Sequence, residues 1–163
     1  MAGDRQQCEV SHVPAAPSGS ENHRILVVED DEDSGLMLRY LLELCGHEVR
    51  LAHSGAEGLA VAASWRPDIV LSDLGLPSDL DGYAVARALR SDPIHCAAFL
   101  VALSGLGRDR DTARARAAGF DFYLTKPVDL ETLEAVVARA AQGLDGGHGR
   151  VYEFPPASRL PRA

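Results

Sequence analysis

Apolar residues in this chain come in two alternating forms. Short unbroken runs are one form, and the clearest is Ile25-Leu26-Val27-Val28. A continuous, partly β-branched run suits a strand buried on both faces of a parallel sheet. A weaker run spans Glu48 to Ala52. Stronger ones follow at Asp68 to Ser72, Ala98 to Leu103 and Phe122 to Leu124. Stripes at helical spacing are the second form. Leu36, Leu41 and Leu44 begin one that ends near Gly46, a residue suited to a helix C-terminus. Ser54-Gly55-Ala56-Glu57 reads as a capping box and opens an alanine-rich helix to about Ser64. Further helices are expected over Gly82 to Arg90, over Asp109 to Ala118 with Gly119 closing it, and over Leu130 to Gln142 behind an Asp129 cap.

The order is strand then helix, five times over. That alternation predicts an α/β fold, a parallel sheet covered by helices on both faces. Residues 1–22 lack periodicity and are rich in Pro, Ser, Gly and Ala, so they read as a flexible leader. Pattern runs through 23–143. From 144 to 163, Gly146-Gly147, Pro155-Pro156 and Pro161 mark a tail without pattern.

Composition narrows the function classes. The 163 residues are 46% hydrophobic and 25% charged, an ordinary globular balance. A net charge of −8 weighs against direct nucleic-acid binding and against a basic membrane-surface role. No segment has the apolar h-region of a signal peptide or the length of a membrane span. Cys8, Cys45 and Cys96 form no CxxC pair, and Cys45 and Cys96 read as buried thiols of a reduced, cytoplasmic protein. His47, His53 and His95 are scattered without metal-ligand spacing.

Chemistry collects at the strand ends. In an open parallel sheet, ligands bind outside the carboxyl ends of the strands. There the pattern places Glu29 and Asp30 after strand 1, Asp73 after strand 3, Ser104 after strand 4, and Lys126-Pro127 after strand 5. With the strands ordered 2-1-3-4-5, these groups converge on one pocket. Clustered carboxylates repel unless a cation sits among them, and an oxygen-lined site suits Mg²⁺ (or Mn²⁺). A carboxylate can also attack phosphorus, and a metal, a lysine and a hydroxyl would stabilise the charges that develop.

Five fragments carry a resemblance: Val27-Val28-Glu29-Asp30-Asp31, Pro67 to Asp73, Leu76-Pro77 with Asp81-Gly82-Tyr83, Ala102-Leu103-Ser104-Gly105, and Lys126-Pro127. In this order and spacing the chain resembles the CheY-like receiver domains of response regulators in two-component signalling, over roughly residues 23–143. The resemblance implies a flavodoxin-like (βα)5 doubly wound sandwich of order 2-1-3-4-5. It implies Asp73 as phosphoacceptor and a Mg²⁺ site made by Glu29, Asp30, Asp73 and the backbone carbonyl of Gly75. Ser104 and Lys126 would contact the phosphoryl group, and Ser104 with Tyr123 would form the switch. A sensor histidine kinase or a phosphotransfer protein would be the donor, in a phosphorelay that signals through protein contacts to a downstream partner. The segments Gly105-Leu106-Gly107-Arg108-Asp109 and Ala118-Gly119-Phe120-Asp121 resemble receivers of hybrid kinases in particular.

Three departures stand out. Ser78, Asp79 and Leu80 make the loop after Leu76-Pro77 one residue longer than is common in the family. Ser104 replaces the commoner Thr. Gly75 and Leu106 stand at the two positions that tune hydrolysis, and neither side chain can hold an attacking water, so slow dephosphorylation is expected.

Alternatives fit less well. A phosphatase of the haloacid-dehalogenase type needs a second Asp two residues after the nucleophile, where this chain has Gly75. An FMN binder needs a Ser/Thr/Gly phosphate loop after strand 1, where this chain is acidic. An unphosphorylated receiver-like scaffold is opposed by the intact constellation. Asp31 to Asp33 read as an acidic helix start. Arg108, Arg110, Arg114 and Arg116 read as a solvated face of helix 4, with a partner surface as the alternative.

Overall fold

Among the described residues, five strands and five helices alternate. They are β1 (Arg24–Val28), α1 (Glu32–Leu44), β2 (Glu48–Ala52), α2 (Gly55–Trp65), β3 (Ile69–Asp73), α3 (Gly82–Ser91), β4 (Phe99–Ser104), α4 (Asp109–Ala118), β5 (Phe122–Thr125) and α5 (Leu130–Asp145). This is a computed structural model, and it describes residues 22–105 and 109–145. The expected leader and tail lie outside the described residues, apart from Asn22 and the last turn of α5. Leu106 and Arg108 lie outside them as well.

All the strands pair in parallel, in the order β2-β1-β3-β4-β5. The three central strands are buried along nearly their whole length, which is why their sequences read as unbroken apolar runs. Successive residues point to opposite faces. Ile25, Val27, Ile69, Leu71, Phe99, Val101 and Leu103 pack with Leu38 and Leu42 of α1 and with Leu133, Val136 and Val137 of α5. Leu26, Val28, Val70, Leu100 and Ala102 pack with α2, α3 and α4 through Trp65, Val85, Leu89 and Ala115. Two helices thus cover one face and three the other.

The helix ends follow the local chemistry. Asp31, Ser54, Asp81 and Asp129 each accept a backbone N–H from the first helical turn, at 2.8, 3.2, 2.9 and 2.7 Å. Glu57 reaches back to the amide of His53, one residue before the cap. Gly46, one residue beyond the Cys45 cap of α1, and Gly119, directly after α4, take positive φ, +88° and +109°. The amides of the next residues, His47 and Phe120, return to the carbonyls of Leu42 and Ala115, a Schellman closure at both places.

Two expectations are corrected. The buried stripe of α1 is Gly35, Leu38 and Leu42. Leu41 is half-buried, whereas Leu36 and Leu44 are 48% and 60% exposed. At about 100° per residue, Leu36 and Leu44 fall outside the face that meets the sheet. Cys45 and Cys96 are half-buried, not buried, because each lies where a helix or turn leaves the core; their thiols face Glu134 and the Pro93 carbonyl.

Candidate functional site

The pleat of the sheet sorts the groups at its C-terminal edge. Glu29 continues the parity of Ile25 and Val27, and Asp73 that of Ile69 and Leu71, so both continue the rows on the α1/α5 face. Lys126 has the parity of Phe122 and Leu124, on that same face. Ser104 has the parity of Leu100 and Ala102, on the face covered by α4. Tyr123 packs against that second cluster and pairs in register with Ala102, two residue pairs below the Ser104–Thr125 pair. One face of the edge therefore gathers charge, and the other gathers a hydroxyl and an aromatic ring.

The charged group is tightly drawn. Lys126 Nζ donates to Glu29 Oε2 at 2.5 Å and to Asp73 Oδ2 at 2.9 Å. Asp73 Oδ1 accepts the amide of Gly75 at 2.9 Å. Both oxygens of Asp73 are thereby engaged, and the carboxylate plane is fixed. Glu29 Oε1 accepts the amide of Asp31 at 3.2 Å. Glu29, Asp30 and Asp73 each offer an oxygen, and these oxygens lie within 4.8 Å of one another. Asp30 is exposed, Glu29 is 1% exposed, and the Asp73 side chain is 12% exposed. Access to the cluster is thus from the Asp30 side.

The electrostatics are those of an edge with too much negative charge. Burial pushes the Glu29 carboxyl above its ordinary range; the Lys126 hydrogen bond opposes this, and the neighbouring Asp73 charge adds to it. Burial works against the Lys126 ammonium, yet its hydrogen bonds to Glu29 and Asp73 prevail and its pKa is raised. Three carboxylates and one ammonium leave a net negative site lined with oxygen. A small hard cation that keeps several waters fits that donor set.

Of the residues expected from the sequence, Glu29, Asp30, Asp73, Gly75 and Lys126 come together directly. Ser104 and Tyr123 lie on the same face of the neighbouring strands β4 and β5, two register positions apart. Three supporting roles are not apparent from the sequence. Gly35 of α1 lies against the Glu29 side chain, where a Cβ would sit 3.7 Å from Glu29 Cβ. Gly82 lies against the backbone of Asp73 and Leu74, leaving no room for a side chain. Asp31 supplies an amide to Glu29 besides capping α1. The visible signal is a glycine inside a helical stripe and another at a helix start, where alanine would be the better helix former.

Comparisons with known proteins agree with this geometry. The family described as response regulator receiver domain matches residues 25–138. Protein PilH of Pseudomonas aeruginosa is 36% identical over 110 residues, which cover 68% of this chain and 90% of PilH. The DNA-binding dual master transcriptional regulator RpaA of Synechocystis sp. is 36% identical over 143 residues, which cover 85% of this chain and 59% of RpaA. The chain thus spans less than two thirds of RpaA and about half of the mycobacterial response regulators MprA that it also matches. The receiver domain of a signal transduction histidine kinase from Syntrophus aciditrophicus superposes with a TM-score of 0.70 at 30% identity, covering 78% of this chain and 96% of that one. Chemotaxis response regulator CheY4 of Vibrio cholerae gives 0.69 at 27% identity, covering 74% and 99%. The sheet order, the acidic edge and these matches lead to one conclusion: the chain belongs to the response-regulator receiver-domain family of two-component signalling.

Proposed function

We propose that this receiver accepts a phosphoryl group on Asp73 in a reaction that requires Mg²⁺ or Mn²⁺. The observation that carries the reading is the posture of Asp73. Its carboxylate is held between Lys126 and the Gly75 amide, beside two further carboxylates whose charge one ammonium offsets only in part. Glu29, Asp30, Asp73 and the Gly75 carbonyl would hold the metal. Once bound, the metal would neutralise the acidic edge and draw charge from the phosphoryl oxygens.

The donor class is a phosphohistidine, carried by a sensor histidine kinase or a phosphotransfer protein. An Asp73 oxygen forms the new O–P bond as the P–N bond breaks, and the imidazole leaves with the bonding electron pair. Lys126, already on Asp73, is placed to follow a phosphoryl oxygen. The Ser104 hydroxyl would bond another, and Tyr123 would repack with it on the α4 face. The consequence runs through protein contacts, in the cytoplasm, with residues 23–143 as the working unit. Self-catalysed hydrolysis returns the carboxylate, slowly, since Gly75 offers a water no side-chain partner; Leu106 lies outside the described residues.

The test is intact mass after incubation with Mg²⁺ and acetyl phosphate, beside a metal-free sample and Asp73→Asn. One phosphoryl adduct is expected, absent from both controls and outlasting seconds. No adduct with any donor would favour a scaffold that is never phosphorylated.

Among the described residues, no helix is long and apolar enough to cross a membrane.

A further inference from the structure

We propose that Arg114 is a latch that couples α4 to the phosphorylation loop through Asp81 and Tyr83. The inference rests on Asp73 being the site of modification. It starts from the loop between β3 and α3, which leaves Asp73 and returns to it. Leu74 and Leu76 are buried and pin its first half. At its far end Gly82 lies against the Asp73 carbonyl so closely that no Cβ could be added. The longer middle of the loop is seated as well. The Leu80 carbonyl rests on Gly55 at the start of α2, again where a Cβ would overlap it. A loop held at both ends and in the middle has little slack. Displacement at Asp73 therefore passes to Asp81, Gly82 and Tyr83.

Arg114 grips the residues on both sides of Gly82. Its guanidinium carbon lies 4.1 Å from the Tyr83 ring centroid, a cation–π contact. Its Nη2 lies 3.9 Å from Oδ2 of Asp81, whose other oxygen caps α3 by accepting the Ala84 amide. The Tyr83 ring is a fixed surface, being 5% exposed in the core cluster that Tyr123 also joins.

The other side of the latch is lightly held. Among the described side chains of α4, only Ala115 and Ala118 are buried, and both are small. A helix with so little buried apolar area belongs to the part of a fold that shifts first. Arg114 gives this loosely packed helix a directional contact with the loop that Asp73 controls. It is a positioning residue, and it touches neither the phosphoryl site nor the acidic cluster.

The test uses the full chain, isotope-labelled, with Mg²⁺ and beryllofluoride as a stable phosphoryl mimic. Amide shifts of Asp73 to Gly75 report occupancy of the site, and those of Ala113 to Ala118 report α4. In the wild type both sets respond. In Arg114→Ala the site response is retained and the α4 response falls by about half or more. Tyr83→Leu, which removes the ring but keeps an apolar side chain, gives the same loss. An undiminished α4 response in Arg114→Ala, with the site response intact, would overturn the latch. Absence of any site response in the wild type would overturn the phosphoacceptor reading, and the latch with it.

Discussion

The two ends of the same sheet handle charge in opposite ways. At the N-terminal edge, ionic groups are satisfied by backbone. Arg90 donates to the carbonyls of Gly119, Cys96 and Ala98 at 2.8, 2.7 and 2.7 Å, and to Asp121 at 2.5 Å. Asp121 in turn accepts the Leu100 amide at 2.8 Å. Arg24 and Asp68 do the same on a smaller scale: Asp68 accepts the Arg24 amide, and Arg24 donates to the Trp65 carbonyl. At the C-terminal edge, Glu29, Asp30 and Asp73 face each other across one lysine. The first edge closes three chain segments and asks for nothing from outside. The second is left short of positive charge. Charge at the first edge is spread over fixed peptide dipoles; charge at the second is concentrated, at a cost to the folded state.

Substitutions at the two edges should therefore have opposite signs. Arg90→Ala should have the largest effect, a loss of about 3 kcal/mol in urea unfolding, because it leaves Asp121 and three carbonyls without their partner. Arg90→Lys should recover little of it, since one ammonium cannot serve four acceptors in a plane. Neither change should prevent phosphorylation of the folded fraction.

Asp73→Asn should move the other way. With no metal present, stability should hold or rise, by about 1 kcal/mol, because one of the facing charges is gone. Adding Mg²⁺ sharpens the contrast. The wild type should gain about 2.7 kcal/mol when the free ion stands at a hundred times its dissociation constant, and Asp73→Asn should gain clearly less at the same concentration. Equal gains would mean that Asp73 is not among the ligands.

A smaller effect tests the quiet edge by pH. His47 is buried beside His23, whose amide donates to His47 Nδ1 at 3.3 Å, and their rings stack 5.7 Å apart. Burial first, and the neighbouring His23 second, lower the His47 pKa from its ordinary 6.5. The unfolded chain then takes up a proton as pH falls through that value, while the native state does not until lower pH. Stability contributed by neutral His47 is thus present above about pH 6.5 and declines below it. In His47→Gln the unfolding free energy should fall less steeply just below that pH.

Much of this is legible in the sequence because the relevant patterns are local. Unbroken apolar runs mark the three central strands, since burial on both faces removes alternation. The caps at Ser54 and Asp129 and the closures at Gly46 and Gly119 are readable for the same reason. Glu29, Asp30, Asp73 and Lys126 stand out because each ends or follows a strand, and parallel strands bring such ends to one edge. The α1 stripe misleads because Leu36, Met37, Tyr40 and Leu44 make that helix apolar over much of its circumference, and composition does not say which side meets the sheet. The Arg90 and Arg114 contacts are not legible at all. They join residues distant in sequence through carbonyls and ring faces, which every residue or many residues can offer. The split of the C-terminal edge into a charged face and a hydroxyl-and-ring face is implicit in strand parity, and becomes visible only with the register.

On the proposed mechanism, Asp73 and no other carboxylate on the acidic edge takes the phosphoryl group. Borohydride reduces an acyl phosphate to an alcohol, converting the modified aspartate to homoserine. Tandem mass spectrometry of the protein phosphorylated with Mg²⁺ and acetyl phosphate, then reduced, should find homoserine at position 73 alone. Homoserine at position 30, or reduction products scattered over the acidic residues, would contradict the account.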